Sequence, residues 1–358
     1  MKTSFSGSLH THLTFPEHQT NQVLEMAYQH STFTASRAYT YSYIHIRPTT
    51  DPKTQKPKSY ILFLHGFPSS SYDWRHQIPY FQQKGYGIIA PDLLGYGGSS
   101  KPLDVKAYMG KDMAKDVYEL LENEGVGEEV FGVAHDWGSF ILSRLANYYP
   151  SLFSKLAFLD VGYVSPGHGL TEEMATFVDK SVKEAMGFEV FGYFLFFNED
   201  GAAELLNKNV ESVQSLFHST NAELGKDYMG ARGGFKNWLS EGKVAEKEDW
   251  LSQEDIEHDL RLFGPENGGY GAAINWYKAQ LQNINAADEK EIPEANHILQ
   301  QPTLLITTTN FISATADFEN QMKPYAPKLE VEKLESGHWV MLERKDEVNE
   351  LLGGFAEK

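Results

Sequence analysis

An aspartate in a tight turn is the first group in this chain with chemistry to offer. The residues Gly132-Val133-Ala134-His135-Asp136-Trp137-Gly138-Ser139 set Asp136 directly after the apolar run Val130, Phe131 and Val133, and before a helical pattern. Strand, sharp turn and helix are the setting of a nucleophile elbow, which exposes the side chain at its tip. A serine there needs a base before it can attack. A carboxylate is already ionised near neutral pH. It attacks an electrophilic carbon by displacement and becomes an alkyl ester on the protein. The same residues also suit an N-capping Asp that merely opens a helix, so the reading depends on what else the chain supplies.

Two further segments supply it. His338, in Ser336-Gly337-His338-Trp339, follows an alternating run and precedes a C-terminal helical pattern. Imidazole is the side chain best suited to take a proton from water near pH 7. Leu64-His65-Gly66-Phe67-Pro68 follows the first strong apolar run. Its glycine lets the backbone turn closely beneath a ligand. The N–H of Phe67, with that of Trp137 just after the candidate nucleophile, would then form an oxyanion hole.

These groups need a frame. Tyr39 to Arg47 alternates as a strand does, and the Lys- and Pro-rich Asp51 to Lys58 reads as an exposed turn. Short apolar runs follow at Tyr60 to Leu64, Tyr86 to Ala90, Val130 to Ala134, Leu156 to Leu159 and Thr303 to Ile306, with a weaker alternating one at Leu329 to Leu334. Near-continuous apolar strands imply a sheet buried on both faces, hence mostly parallel. Met113, Val117, Leu120 and Leu121 make one helical face; Phe140, Ile141, Leu145 and Tyr148 make another. The alternation predicts a doubly wound α/β fold. It breaks between about Val164 and Leu299, where helical faces replace strand-like runs, so a helical lobe is expected between two strands of one sheet.

Composition narrows the function. The chain has 358 residues and a formal net charge of −18, which disfavours nucleic acid and anionic membranes as partners. It has no Cys, hence no disulfide, thiolate metal site or thiol nucleophile. Met1 to Phe15 carries no secretory pattern, no run approaches a membrane span, and the C-terminal Ala-Glu-Lys is not a peroxisomal address. The expected location is the cytoplasm. Thr20 to His30 reads as a short helix packing on the core or the lobe.

Taken together, His65-Gly66-Phe67-Pro68, Trp74-Arg75, Asp92 to Ser99, His135-Asp136-Trp137-Gly138 and Gly337-His338-Trp339 resemble an α/β-hydrolase of the epoxide hydrolase branch. The resemblance implies a mostly parallel central sheet flanked by helices, with a core of residues 1–162 and 298–358, an N-terminal extension over 1–36, and a helical cap over 163–297. It implies conversion of an epoxide to a vicinal diol through an ester on Asp136, hydrolysed by water that His338 activates. It also implies two cap tyrosines that donate to the epoxide oxygen. Asn275-Trp276-Tyr277 resembles the segment that carries one, Tyr277. Phe188 to Gly201 resembles the other, and aligning Asn198-Glu199-Asp200-Gly201 to its end selects Tyr193. Phe67, Trp137 and Trp276 are expected to line the substrate site. His65, Asp92 and His135 are expected to be structural. No cofactor or metal is implied, the partner is a small-molecule epoxide, and the protein is expected to be a monomer or homodimer.

The sequence departs from the family at one point. The usual acid that orients the His falls at Asn310, and the next acid is Asp317. Some related dehalogenases carry this acid just after the strand leading into the lobe, where this chain has Asp160. Asp160 is therefore preferred over Asp317. Two rivals remain. A haloalkane dehalogenase would use the same Asp nucleophile, but such enzymes typically have Asn in place of Phe67. A ligand-binding homologue without turnover would be consistent with Asn310.

Overall fold

The computed structural model describes residues 28–167 and 169–358. Among them, eight strands form one sheet: β1 (His30–Thr34), β2 (Thr40–Ile46), β3 (Tyr60–Leu64), β4 (Gly87–Pro91), β5 (Val130–His135), β6 (Phe153–Leu159), β7 (Thr303–Thr307) and β8 (Leu329–Lys333). Their order is β1-β2-β4-β3-β5-β6-β7-β8. The first two pairings, β1 with β2 and β2 with β4, are antiparallel, and the rest are parallel. β4 and β5 are buried along their whole length, as unbroken apolar runs in a two-sided sheet must be.

One strand was not expected. β1 adds an edge to the sheet, but four of its five residues are exposed and only Phe33 is half-buried, so it leaves almost no apolar pattern to read. The helix expected over Thr20 to His30 lies outside the described residues up to residue 27, and His30 itself opens β1.

The sheet register positions the chemistry. Leu64 of β3 lies beside Ala134 of β5, and Leu159 of β6 lies beside Ile306 of β7. The residues that follow these strands therefore emerge together at the carboxyl edge, where open α/β sheets build their sites. The Gly110–Asn123 helix buries Met113, Val117, Leu120 and Leu121, and the Trp137–Tyr148 helix buries nearly all of its residues. Between β6 and β7 the described residues form helices and turns without a strand.

Polar contacts fix this helical segment over the sheet. Arg75 pairs with Asp255 at 3.0 Å and Arg144 with Glu289 at 2.7 Å, all four side chains being almost fully buried. Breaking one partner of such a pair strands a buried charge, at a cost of about 3–5 kcal/mol. Trp276 and Trp339 add indole N–H bonds to the carbonyls of Leu94 and Phe217, each 2.9 Å long. No helix among the described residues is long and apolar enough to cross a membrane.

Candidate active site

Asp136 ends β5 and caps the Trp137–Tyr148 helix with φ 51° and ψ −123°. A non-glycine residue held there stores about 1–3 kcal/mol of backbone strain. Close packing makes the turn possible. A Cβ on Gly138 would lie 2.2 Å from the Leu64 carbonyl oxygen, and one on Gly66 would lie 2.2 Å from Asp136 Oδ1. The small residues around the aspartate are thus a steric requirement of the elbow.

The two oxygens of Asp136 have different surroundings. The Phe67 N–H donates to Oδ1 at 2.7 Å. Oδ2 faces His338, whose Nε2 is 3.7 Å away. Burial pushes this carboxyl up, against the pull of His338 and of the Phe67 and Trp137 N–H groups. Oδ1 is thus held by the backbone, and Oδ2 is the oxygen turned toward the imidazole.

His338 follows β8, and its Nδ1 lies 2.5 Å from Asp160 Oδ2. Asp160 follows β6 with φ 61°, and its N–H donates to Ile306 of β7 at 2.9 Å. The Thr308 hydroxyl donates to its other oxygen. Burial opposes an ionised Asp160, but His338 and the surrounding hydroxyls outweigh it and hold the carboxyl below its usual range. Burial also opposes the imidazolium. Asp160 first and Asp136 second overcome it, and His338 is pushed up to about 9.

Four more polar residues singled out in the sequence, Asn310, Asp317, His65 and Asp92, bond to groups other than His338. Asn310 borders the cavity over Asp136 and His338, and its N–H donates to the Thr308 hydroxyl. Asn310 Oδ1 accepts from the N–H groups of Ile312 and Ser313 and caps the Phe311–Ala316 helix. Asp317 accepts from Asn320 at a helix start. His65 Nδ1 donates to Gly66 O and its Nε2 accepts from the Leu93 N–H, both at 2.9 Å, a fully spent neutral ring that burial pushes down to about 4. Asp92 accepts from Ser71 and Gly98. Thr308 was not anticipated; the only trace in the sequence is the hydroxyl-rich Thr307-Thr308-Thr309 closing a strand.

A cavity of about 410 Å³ opens over Asp136 and His338, and Phe67, Tyr193, Phe217 and Tyr277 are among its walls. The Tyr193 and Tyr277 rings are 5.7 Å apart. Burial, with the Asp136 charge, pushes both phenols well above their usual value, so both stay protonated and able to donate. Phe67 packs on Tyr277 at 5.0 Å and on Phe217 at 5.2 Å. Trp137 packs edge-on against Tyr277 at 5.0 Å.

Trp137 and Trp276 correct the expectation for the substrate site. Neither is among the walls of this cavity; Trp276 packs at a tilt on Trp137 at 5.9 Å and spends its N–H on Leu94. A larger cavity of about 520 Å³ lies near Tyr72, Arg75 and Asp92. There Arg75 pairs with Asp255, Asp92 accepts from Ser71 and Gly98, and His30 Nδ1 lies 2.7 Å from the Ser42 hydroxyl and 3.9 Å from Asp92.

Among the described residues, one cluster has the ligand atoms a metal would need, His135, Asp160 and His338, within 4.8 Å of one another. Most of those atoms are committed. Asp160 holds His338 Nδ1, and His135 Nε2 bonds the His338 carbonyl at 2.8 Å. His135 Nδ1 is buried without a hydrogen-bond partner among the described residues.

The model of the α/β hydrolase fold family matches residues 60–345. Bifunctional epoxide hydrolase 2 of Mus musculus is 27% identical over 82% of this chain, and this chain spans about half the length of that protein and of the similar rat and pig proteins. Epoxide hydrolase A of Mycobacterium tuberculosis is 30% identical over 82% of this chain and 89% of its own length. Among solved structures, an epoxide hydrolase from an endophytic Streptomyces superposes with a TM-score of 0.75 at 25% identity, covering 92% of this chain and 95% of that one.

Proposed function

We propose that this chain, which belongs to the α/β hydrolase fold family, hydrolyses a small-molecule epoxide to a vicinal diol. The observation that carries the reading is the pair of buried phenols that share one cavity with a carboxylate, one oxygen of which is held by a backbone N–H. Phenols that stay protonated can donate to an epoxide oxygen as the ring opens. Residues 163–297 act as the cap that brings them over the sheet.

The steps follow from the geometry. Oδ2 of Asp136 attacks a ring carbon; the new C–O bond forms as the ring C–O bond breaks, and a tyrosine hydroxyl donates to the released oxygen. His338 then takes a proton from water, and the hydroxide adds to Cγ of the ester. The negative charge falls on Oδ1, where the Phe67 and Trp137 N–H groups stabilise it. Collapse breaks the Cγ–Oδ2 bond; Oδ2 leaves in the diol with the second proton of the water, His338 returns the first to the tyrosinate, and the carboxylate is restored.

Single turnover in heavy-oxygen water tests this. Label is expected in the Asp136 carboxylate, and the first diol molecules should carry an unlabelled oxygen from the enzyme. First-turnover diol that carries only solvent oxygen would mean direct attack by water, and the ester route would fall. Halide release from small haloalkanes, without diol formation from epoxides, would favour the dehalogenase reading. Against that rival, the Phe67 side chain has no amide to hold a halide.

Asp160 orients His338 in this scheme and stabilises the imidazolium that forms as water is deprotonated. Asp160→Asn should still form the ester but hydrolyse it more slowly, by about 10²-fold or more. Asp317→Asn should behave nearly as wild type, because that side chain caps a helix at the surface. Rapid-quench measurement of both steps separates the two. The opposite ranking would remove Asp160 from the role and leave the ester mechanism standing.

A further inference from the structure

His338 is held by its neighbours as well as by its acid. The Gly337 N–H donates to Glu343 Oε2 at 2.6 Å, and the Trp339 N–H donates to Glu343 Oε1 at 3.0 Å. One carboxylate thus grips the peptide on each side of the base. From the opposite direction, the His135 Nε2–H donates to the carbonyl of His338 itself at 2.8 Å. Burial pushes His135 down to about 3, so it stays neutral and its ring, 4.4 Å from that of His338, brings no competing charge.

We propose that Glu343 is a positioning residue for the base: it clamps the His338 turn through the two flanking N–H groups and places a negative charge beside the imidazole. The proposal rests on the ester mechanism above. Glu343 ends the short Val340–Glu343 helix and borders the same cavity as Asp136 and His338. Both of its oxygens are spent on backbone donors, so it acts through His338 and not on the substrate.

The clamp explains a glycine. A Cβ on Gly337 would stand 2.8 Å from Glu343 Oε1 and 3.3 Å from Thr220 Cγ2, so the far end of Glu343 would have to move and Thr220 to give by a few tenths of an ångström. It also bears on the charge of the base. The groups that face His338 are Asp160 after β6, Asp136 and His135 at the end of β5, and Glu343 after β8. Three of the four are acids, and each acid raises the imidazole. The adjacent Arg344, also on the cavity wall, carries a positive charge and donates to the Glu335 carbonyl rather than to Glu343.

Two variants separate position from charge. Each is followed by rapid quench with a reactive aryl epoxide, reading ester formation and ester hydrolysis independently across pH. Glu343→Gln keeps the size, weakens the grip and removes the charge. It should leave ester formation unchanged, slow hydrolysis by up to about 100-fold and move the pH midpoint of hydrolysis to lower pH. Gly337→Ala displaces the grip and keeps the charge. It should slow hydrolysis with the midpoint unmoved.

Wild-type hydrolysis rates in both variants would overturn the proposal, as would equal losses in both steps. Should Glu343→Gln fail to fold, Gly337→Ala decides alone, since normal hydrolysis there leaves the clamp without a function. A wild-type protein that forms no ester at all would instead overturn the mechanism beneath it.

Discussion

A His338→Gln variant is expected to consume about one equivalent of epoxide and then stop, with its intact mass raised by that of the substrate. Ester formation needs the Asp136 carboxylate and the two phenols; hydrolysis needs a base. Removing a general base costs about 10²–10⁴-fold, and here the whole loss should fall on the second step. One side effect is predictable. His338 pulls Asp136 down against its burial, so without it the carboxyl rises and ester formation weakens on the acid side. The trapping experiment therefore belongs above neutral pH.

The same group sets the pH dependence of the intact enzyme. In the resting site His338 is pushed up to about 9, with Asp160 and Asp136 both favouring its charge. Esterification neutralises Asp136. One of the charges that favour the imidazolium then vanishes, so the base becomes more acidic and releases its proton more readily when it must accept one from water. Ester hydrolysis should rise with pH to a midpoint below that of the resting site, and ester should accumulate at acid pH. Steady turnover in His338→Gln, or hydrolysis that quickens as pH falls, would contradict this account.

Local rules made part of this site legible and hid the rest. The elbow could be read because its geometry demands small residues at fixed places, and a Cβ on Gly66 or Gly138 would collide with Asp136 or Leu64. Asp160 could be singled out because it follows the strand leading into the lobe, where the resemblance to related dehalogenases puts this acid. Trp276 was misplaced for an equally local reason. It neighbours Tyr277 in sequence, but successive residues on a helix point about 100° apart, so one ring enters the cavity while the other turns to Leu94. The edge strand β1 was missed because its side chains are mostly exposed. Nothing near Asn310 in sequence showed that it serves as a helix cap; that became visible only when Asp160 arrived at His338 from 178 positions away.

The double variant Tyr193→Phe with Tyr277→Phe is expected to form almost no ester. Each phenylalanine keeps the ring and its packing, against Phe194 at 4.9 Å for residue 193 and 4.6 Å for residue 277, and removes only a hydroxyl. A donor aimed at a developing oxyanion is worth about 2.7–4 kcal/mol where it has been deleted. Two donors sharing one oxygen should each contribute less, about 2 kcal/mol, or roughly 30-fold in the rate of ester formation. Removing both leaves the opening ring without either phenolic proton donor. The combined loss should reach about 10³-fold or more, all of it in ester formation and none in hydrolysis of ester already formed. That division is the discriminating result. Loss confined to hydrolysis would move the tyrosines out of the ring-opening step, and near-normal ester formation in the double variant would remove them from the chemistry altogether.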